Sequence, residues 1–206
     1  MQVSGAGGGG RSFTTTARRA QIVGAAIETI AEVGFARASF ARITERAGLS
    51  STRLISYHFT GKDELIEQVV REITSEIGGF VSERMKGQGS AAEALRAYIL
   101  ATVEFVGSHR TQMKALLSIF LSGGLHYDSS ADEPVTSIIE QILSGGQSVG
   151  EFRDFDPLVM AVTIRRAVEG LPFLLESHPD LDLRSYAQEL VTIFELATRR
   201  EQVGNT

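Results

Sequence analysis

Cysteine is absent from the 206 residues. That excludes disulfides and thiolate metal sites, and it fits an expectation of a reducing, cytoplasmic setting. Long apolar runs are also missing. The longest, around residues 115–121, falls far short of the roughly 20 residues a bilayer-spanning helix needs, so no membrane partner is expected. The first ten residues are glycine-rich and polar, not an apolar run behind positive charge, so no secretory signal is expected. There are no internal repeats and no alternating, strand-like segments. Ser-His-Asp spacing, a phosphate loop and a dinucleotide fingerprint are lacking as well, so no cofactor is expected. The nearest approach to a metal site is His126-x-Asp128, with His109 or His178 elsewhere. It has no helical His/Glu spacing and no third ligand in register, so neither a metal nor an enzyme is expected.

What is present is a chain long enough to bury a good core in one large or two modest domains. Its overall charge of −5 argues against a nucleic-acid partner until the chain is divided. Residues 1–62 hold eight basic residues (11, 18, 19, 37, 42, 46, 53 and 62) against Glu28, Glu32 and Glu45, a net of +5. The remaining twelve basic and twenty-two acidic residues give −10. A basic head on an acidic body is the asymmetry expected when only one end approaches phosphates.

Residues 39–65 explain what that head is for. Phe40, Ile43 and Ala47 fall on one helical face. Gly48 stops the helix at a position suited to left-handed backbone, and Ser50 or Ser51 is placed to cap the next helix. That next helix is small and polar on one side (Ser51, Thr52, Arg53, Ser56) and apolar on the other (Leu54, Ile55, then Phe59). Short polar side chains let such a helix come close to base edges in a major groove, so the segment reads as a helix-turn-helix. An αα-hairpin with a glycine corner gives a similar pattern. What separates the two is Tyr57-His58-Phe59 followed by Lys62 and Leu65. Together with Ala47-Gly48-Leu49-Ser50, these residues resemble the DNA-binding domain of the TetR family of bacterial transcriptional regulators. Ile22, Ala26, Phe35 and Ile43 match the core of that family's three-helix head, and the resemblance covers residues 16–70. Gly48 to Phe59 is one residue longer than the family's commonest spacing, which leaves both Ser50 and Ser51 open as the cap.

The rest of the chain is punctuated into helices. Residues 1–15 form a Gly/Ser/Thr-rich tail with too little apolar surface to order itself. The first helix spans 16–33 on the stripe Ile22, Ala26, Ile30 and Val33, with Gly34-Phe35 as its stop. Thr60-Gly-Lys-Asp63 resembles a capping box opening a fourth helix to about Ile77. Its free N–H groups, with Lys62, suit a phosphate. Gly78-Gly79 marks the end of that helix or a bend in it, because glycine costs roughly 1 kcal/mol relative to alanine. Further helices are predicted over 91–108, 111–121, 134–145, 157–177 (bent at Pro172) and 183–200, with Asp156-Pro157 as a cap and first turn. The expected fold is all-α, with about nine helices. A DNA-binding domain over 16–62 is joined, through a connector helix at 62–77, to a helical effector-binding and dimerisation domain over 63–206.

Arg53 is the candidate for a specific base contact, since guanidinium bridges guanine O6 and N7. Ser51, Thr52 and Ser56 offer hydroxyls to bases or phosphates, and Arg42 offers a further phosphate contact. Resemblance assigns Tyr57, His58 and Lys62 to the phosphate backbone, which positions the head without reading sequence; Phe59 is expected in the core. Resemblance also implies a homodimer formed by the last two long helices. Its candidate interface is Val162, Ile164, Val168, Leu171, Leu190, Ile193, Phe194 and Ala197, although the same residues would serve equally to close a monomer core. The expected partners are a palindromic double-stranded operator, a second copy of the chain and a largely apolar small-molecule effector. Tyr98, Phe105, Met113, Leu117, Phe120, Phe152 and Phe173 are candidates for the effector's apolar wall, and His109 and His126 for its polar groups. Release of a repressor by that effector, with the fourth helix as lever and Gly78-Gly79 as hinge, is the implied mechanism. The alternative is a DNA-binding regulator without an effector, or an activator, since that distinction rests on where the operator lies.

Overall fold

Helix punctuation by glycine, proline and short polar caps sets most of the architecture. The computed structural model describes residues 9–124 and 133–200. Among these the chain is helical apart from turns and one isolated bridge between Phe152 and Arg199. Two compact units are formed, Met1–Ser75 with Thr111–His126, and Glu76–Arg110 with Tyr127–Thr206. The motif-bearing segment 16–62 lies wholly within the first.

The first unit begins with α1 (Gly9–Val33), which starts ahead of the predicted Thr16. The expectation of an unordered tail is therefore corrected for residues 9–15; residues 1–8 lie outside the described part. Once the apolar stretch downstream is helical, each added residue costs far less than starting a helix would. Ile22, Ala26 and Ile30 are fully buried, as the stripe predicts. Gly34 turns the chain with φ 82 into a 3-10 turn, Phe35–Arg37. Ser39 caps α2 (Phe40–Arg46), accepting from Arg42 N at 3.4 Å. Gly48 (φ 62) then leads toward α3 (Arg53–His58). The head closes on α4 (Lys62–Met85) through Leu65, Val69 and Ile73, all fully buried. The first unit also includes α6 (Arg110–Leu121), which buries Ala115 and Ile119.

Two predicted helix ends are corrected. α4 does not stop at Ile77 but runs through Gly78-Gly79 to Met85. Beyond the pair, Val81 is buried, and Arg84 lies 3.3 Å over the Phe80 ring while holding Glu104 at 2.8 and 2.7 Å. The Arg84–Glu104 pair ties this part of α4 to α5 (Ala91–Ser108) and, with the burial of Val81, works against the glycine penalty. In the second unit, α7 (Glu133–Ser148) likewise passes through Gly145-Gly146. Gly146 is there for packing: a Cβ would sit 2.3 Å from the Phe152 ring and 2.9 Å from Ala91 Cβ.

Acidic and hydroxyl caps anchor the rest of the second unit. Ser90 caps α5, whose next two amides, of Ala91 and Ala92, donate to the Glu151 carboxylate at 2.9 Å each. Asp156 and Asp182 cap α8 (Pro157–Glu169) and α10 (Leu183–Thr198). The predicted helix over 157–177 is divided at Gly170, with α9 (Leu171–Ser177) continuing after it. Pro172 has no N–H for the carbonyl four residues back, so the hydrogen-bond ladder is interrupted there while Gly170 keeps helical backbone.

Nothing lies within 4 Å of a Cβ built on Gly78 or Gly79. The double variant Gly78→Ala/Gly79→Ala should therefore stabilise the protein by about 1 kcal/mol per site. Thermal unfolding that shows no rise in midpoint would contradict a continuous α4.

Candidate nucleic-acid interface

The recognition face begins with the turn between α2 and α3. Gly48 N and Leu49 N donate to Glu45 O (3.1 Å) and Thr44 O (3.0 Å), closing the end of α2. From α1, Gln21 Nε2 donates to Ala47 O at 2.7 Å and fixes where the turn departs. α3 starts without a side-chain cap: Thr52 is helical, and its predecessor's carbonyl takes the first bond, from Leu54 N at 3.2 Å. The expectation that Ser50 or Ser51 caps this helix is thus corrected. A tight first turn satisfies the backbone and leaves both hydroxyls exposed.

Six residues make a helix too short to persist alone. Ile55 and Phe59, fully buried, fasten it to the head. Fastening one side turns the other outward: Ser51, Thr52, Arg53, Ser56 and Tyr57 are all exposed, Tyr57 by 80 %. Thr52, Arg53, Ser56 and Tyr57 are neighbours at helical spacing, so they form one contiguous polar face. Arg42 is exposed at the start of α2, while His58 and Lys62 are half-buried. Among the described residues, the Arg42 and Arg53 guanidinium groups have no ionic partner.

Other basic residues are committed within the head. Arg46 pairs with Glu28 at 3.3 Å and also with Glu32. Arg19 belongs to α1, where it lies 4.2 Å over the Phe59 ring, donates to His58 O and pairs with Glu64 at 3.2 Å. Glu64 in turn accepts from Thr60 N at 2.6 Å and Thr60 Oγ1 at 2.9 Å. Glu64, not Asp63, therefore closes the α4 box, because one more residue brings the carboxylate over the Thr60 amide. These bonds, that from the Thr60 amide foremost, hold the Glu64 carboxyl below the usual range. Lys62 Nζ donates to Phe35 O at 3.3 Å and lies 4.3 Å from the Phe35 ring centroid. The Arg19–Glu64 pairing escapes a reading of the sequence because it joins positions 45 apart. The only local trace is the Thr60/Glu64 spacing.

The predicted effector-wall residues fall in both units. Tyr98, Phe105 and Phe152 are buried in the second unit and Met113 and Leu117 in the first. Phe120 and Phe173 are instead exposed, by 46 % and 52 %. Burial pushes the Tyr98 phenol up to about 12, with the Glu169 carboxylate adding to it, so the phenol is a neutral donor at ordinary pH. His109 stacks on Phe105 with centroids 3.9 Å apart; His126 lies outside the described residues. The predicted dimer set also divides. Ile164, Val168, Leu171, Leu190 and Phe194 are buried within the chain's own core, and Ala197 is half-buried. Val162 and Ile193 are exposed, and Leu158, Val159 and Leu196 join them on the outer faces of α8 and α10. His126 and Asp128, the weak metal pair, fall outside the described residues. Within those residues no group of three ligating side chains gathers, and no helix is long and apolar enough to cross a membrane.

Comparison with known proteins agrees with this geometry. Residues 22–69 match the family described as bacterial regulatory proteins, tetR family. The HTH-type transcriptional regulator BetI 1 of Chromohalobacter salexigens is 40 % identical over 110 residues, 53 % of this chain and 54 % of that protein. The match thus spans about half of that relative. BetI of Escherichia coli is 34 % identical over 141 residues, 66 % of this chain and 68 % of that protein. A transcriptional regulator from Saccharomonospora viridis, solved in complex with choline, superposes with a TM-score of 0.79 at 19 % identity, covering 90 % of this chain and 100 % of that one. These relatives are regulators, not enzymes.

The Glu64 bonds make stability depend on pH. A carboxyl with a depressed folded pKa stabilises the fold above its unfolded value, near 4.3, and that contribution is lost as pH falls through the folded value. Glu64→Gln should lower the urea midpoint at neutral pH and flatten its decline below about pH 4.5. Parallel acid-side profiles for the variant and the parent would show that the carboxylate contributes nothing.

Proposed function

The chain belongs to the tetR family of bacterial regulatory proteins, DNA-binding transcriptional regulators, and from that premise we propose that it works as a homodimeric repressor released from a palindromic operator by a small molecule. The observation that carries the reading is the polar face of α3, opposite the fully buried Ile55 and Phe59. It holds Thr52, Arg53, Ser56 and Tyr57 outward and exposed, with the Tyr57 ring set edge-on to His58 at 5.0 Å between centroids.

In this reading Arg53 takes the bidentate base contact, because its fork matches guanine O6 and N7. Thr52, Ser51 and Ser56 add hydroxyl contacts. Arg42, Tyr57, His58 and Lys62 hold phosphates and set the register. Arg19 and Glu64 stay inside the head and keep His58 and Phe59 in place. Two such heads about 34–36 Å apart would read the half-sites of a palindrome.

Dimerisation is proposed through the outer faces of α8 and α10, where Leu158, Val159, Val162, Ile193 and Leu196 are exposed. Covering such side chains is favourable at about 25 cal/mol per Å². The effector is proposed to bind in the helical domain, next to residues such as Tyr98 and Phe105. It would favour the form whose heads are wrongly spaced and so draw the population away from DNA. Choline, the ligand of the Saccharomonospora viridis protein, is the first compound to assay.

Selection from a random DNA pool should yield a palindrome. Arg53→Ala should cost about 1–3 kcal/mol on it and relax the preference at one base position. Enrichment of no sequence would contradict the reading. In sedimentation, Val162→Glu/Ile193→Glu should convert a dimer to a folded monomer that no longer retains the full palindrome. A variant that stayed dimeric would move the interface elsewhere.

A further inference from the structure

Phe35 is engaged by groups from two other elements of the head, through both its backbone and its ring. Its backbone N–H donates to Ser118 Oγ on α6 at 2.9 Å. Its carbonyl accepts from Lys62 Nζ at 3.3 Å, and its ring lies 4.3 Å beneath the same ammonium. On the α6 side, a Cβ on Gly124 would come within 2.7 Å of Phe35 Cζ, so the ring rests directly against that glycine. The preceding Gly34 holds φ 82, a conformation that orients the Phe35 peptide and that other residues rarely adopt.

A lysine at the first position of α4 would otherwise sample many rotamers, and ordering it on a phosphate would cost that freedom. Here the ring and the carbonyl hold it in advance. An ammonium has three N–H donors, and the Phe35 carbonyl uses one, so two remain for phosphate oxygens. We propose that Ser118, acting through the Phe35 peptide, is a positioning residue for Lys62: α6 sets where the Lys62 charge sits at the DNA backbone. This rests on the reading of Lys62 as a phosphate contact. It adds that the contact is determined by a side chain that itself touches no DNA.

The test uses the full-length chain and the palindrome obtained by selection, with binding followed by fluorescence anisotropy across a salt series. Lys62→Ala should make the salt slope shallower by about one. Ser118→Ala should weaken binding about threefold to tenfold and make the slope shallower in the same direction, while Ser118→Thr, which keeps the hydroxyl, should restore both. In the Lys62→Ala background, Ser118→Ala should have no further effect. If Ser118→Ala proves unfolded by circular dichroism, Gly124→Ala, which pushes on the Phe35 ring, should give the same coupling to Lys62. An equal loss with and without Lys62, or weaker binding at an unchanged slope, would reduce Ser118 to a stabilising contact and overturn the proposal. A parent chain that reads its palindrome while Lys62→Ala and Ser118→Ala bind as it does would overturn this inference alone. A parent chain that selects no sequence would overturn the regulator reading along with it.

Discussion

The burial of Ile55 and Phe59 is the constraint on which the recognition surface depends. Six helical residues cannot sustain themselves in water, and α3 has no side-chain cap to help it. Its stability comes from those two side chains, fully enclosed by the head, and from Arg19, which covers the Phe59 ring and donates to the His58 carbonyl. The polar face of α3 is outward because the apolar face is anchored. Loss of that anchor would remove the contiguous arrangement of Thr52, Arg53, Ser56 and Tyr57 before any single contact was altered.

The same packing sorts the head's positive charge into two kinds. Arg19 and Arg46 are satisfied by Glu64, Glu28 and Glu32, so they hold elements together. Arg42 and Arg53 are exposed on the turn-and-helix surface. A sum over residues 1–62 counts both kinds alike, although the first is occupied by internal ion pairs. Internal pairing thus removes Arg19 and Arg46 from the head's excess of positive charge and leaves Arg42 and Arg53 in it.

In the helical unit, apolar side chains divide between an interior shared by α5, α7, α8 and α10 and an outer strip on α8 and α10. The division follows helical register. Ile164 and Val168 lie four apart and inward, while Leu158 and Val162 lie four apart and outward. Both sets read alike as apolar residues on amphipathic helices. Burial distinguishes them, and it makes the outer strip, rather than the whole apolar inventory, the surface to place against a second copy.

Legible in the sequence were the all-helical class, the glycine stops at Gly34 and Gly48, the Asp156 and Asp182 caps, and the polar side of α3 formed by Ser51, Thr52, Arg53 and Ser56. Each of these depends on neighbours within one or two turns, so local spacing records it. It misjudged Gly78-Gly79 and Gly145-Gly146, because a helix keeps its glycines when packing such as Phe152 over Gly146 outweighs their cost. It placed the closing carboxylate of the α4 box at Asp63, where geometry over a single turn chose Glu64. It had no means to pair Arg19 with Glu64, or to seat Lys62 on Phe35 and Phe35 on Ser118. Those contacts join residues far apart in the chain, and they follow from which helix faces meet in the folded head.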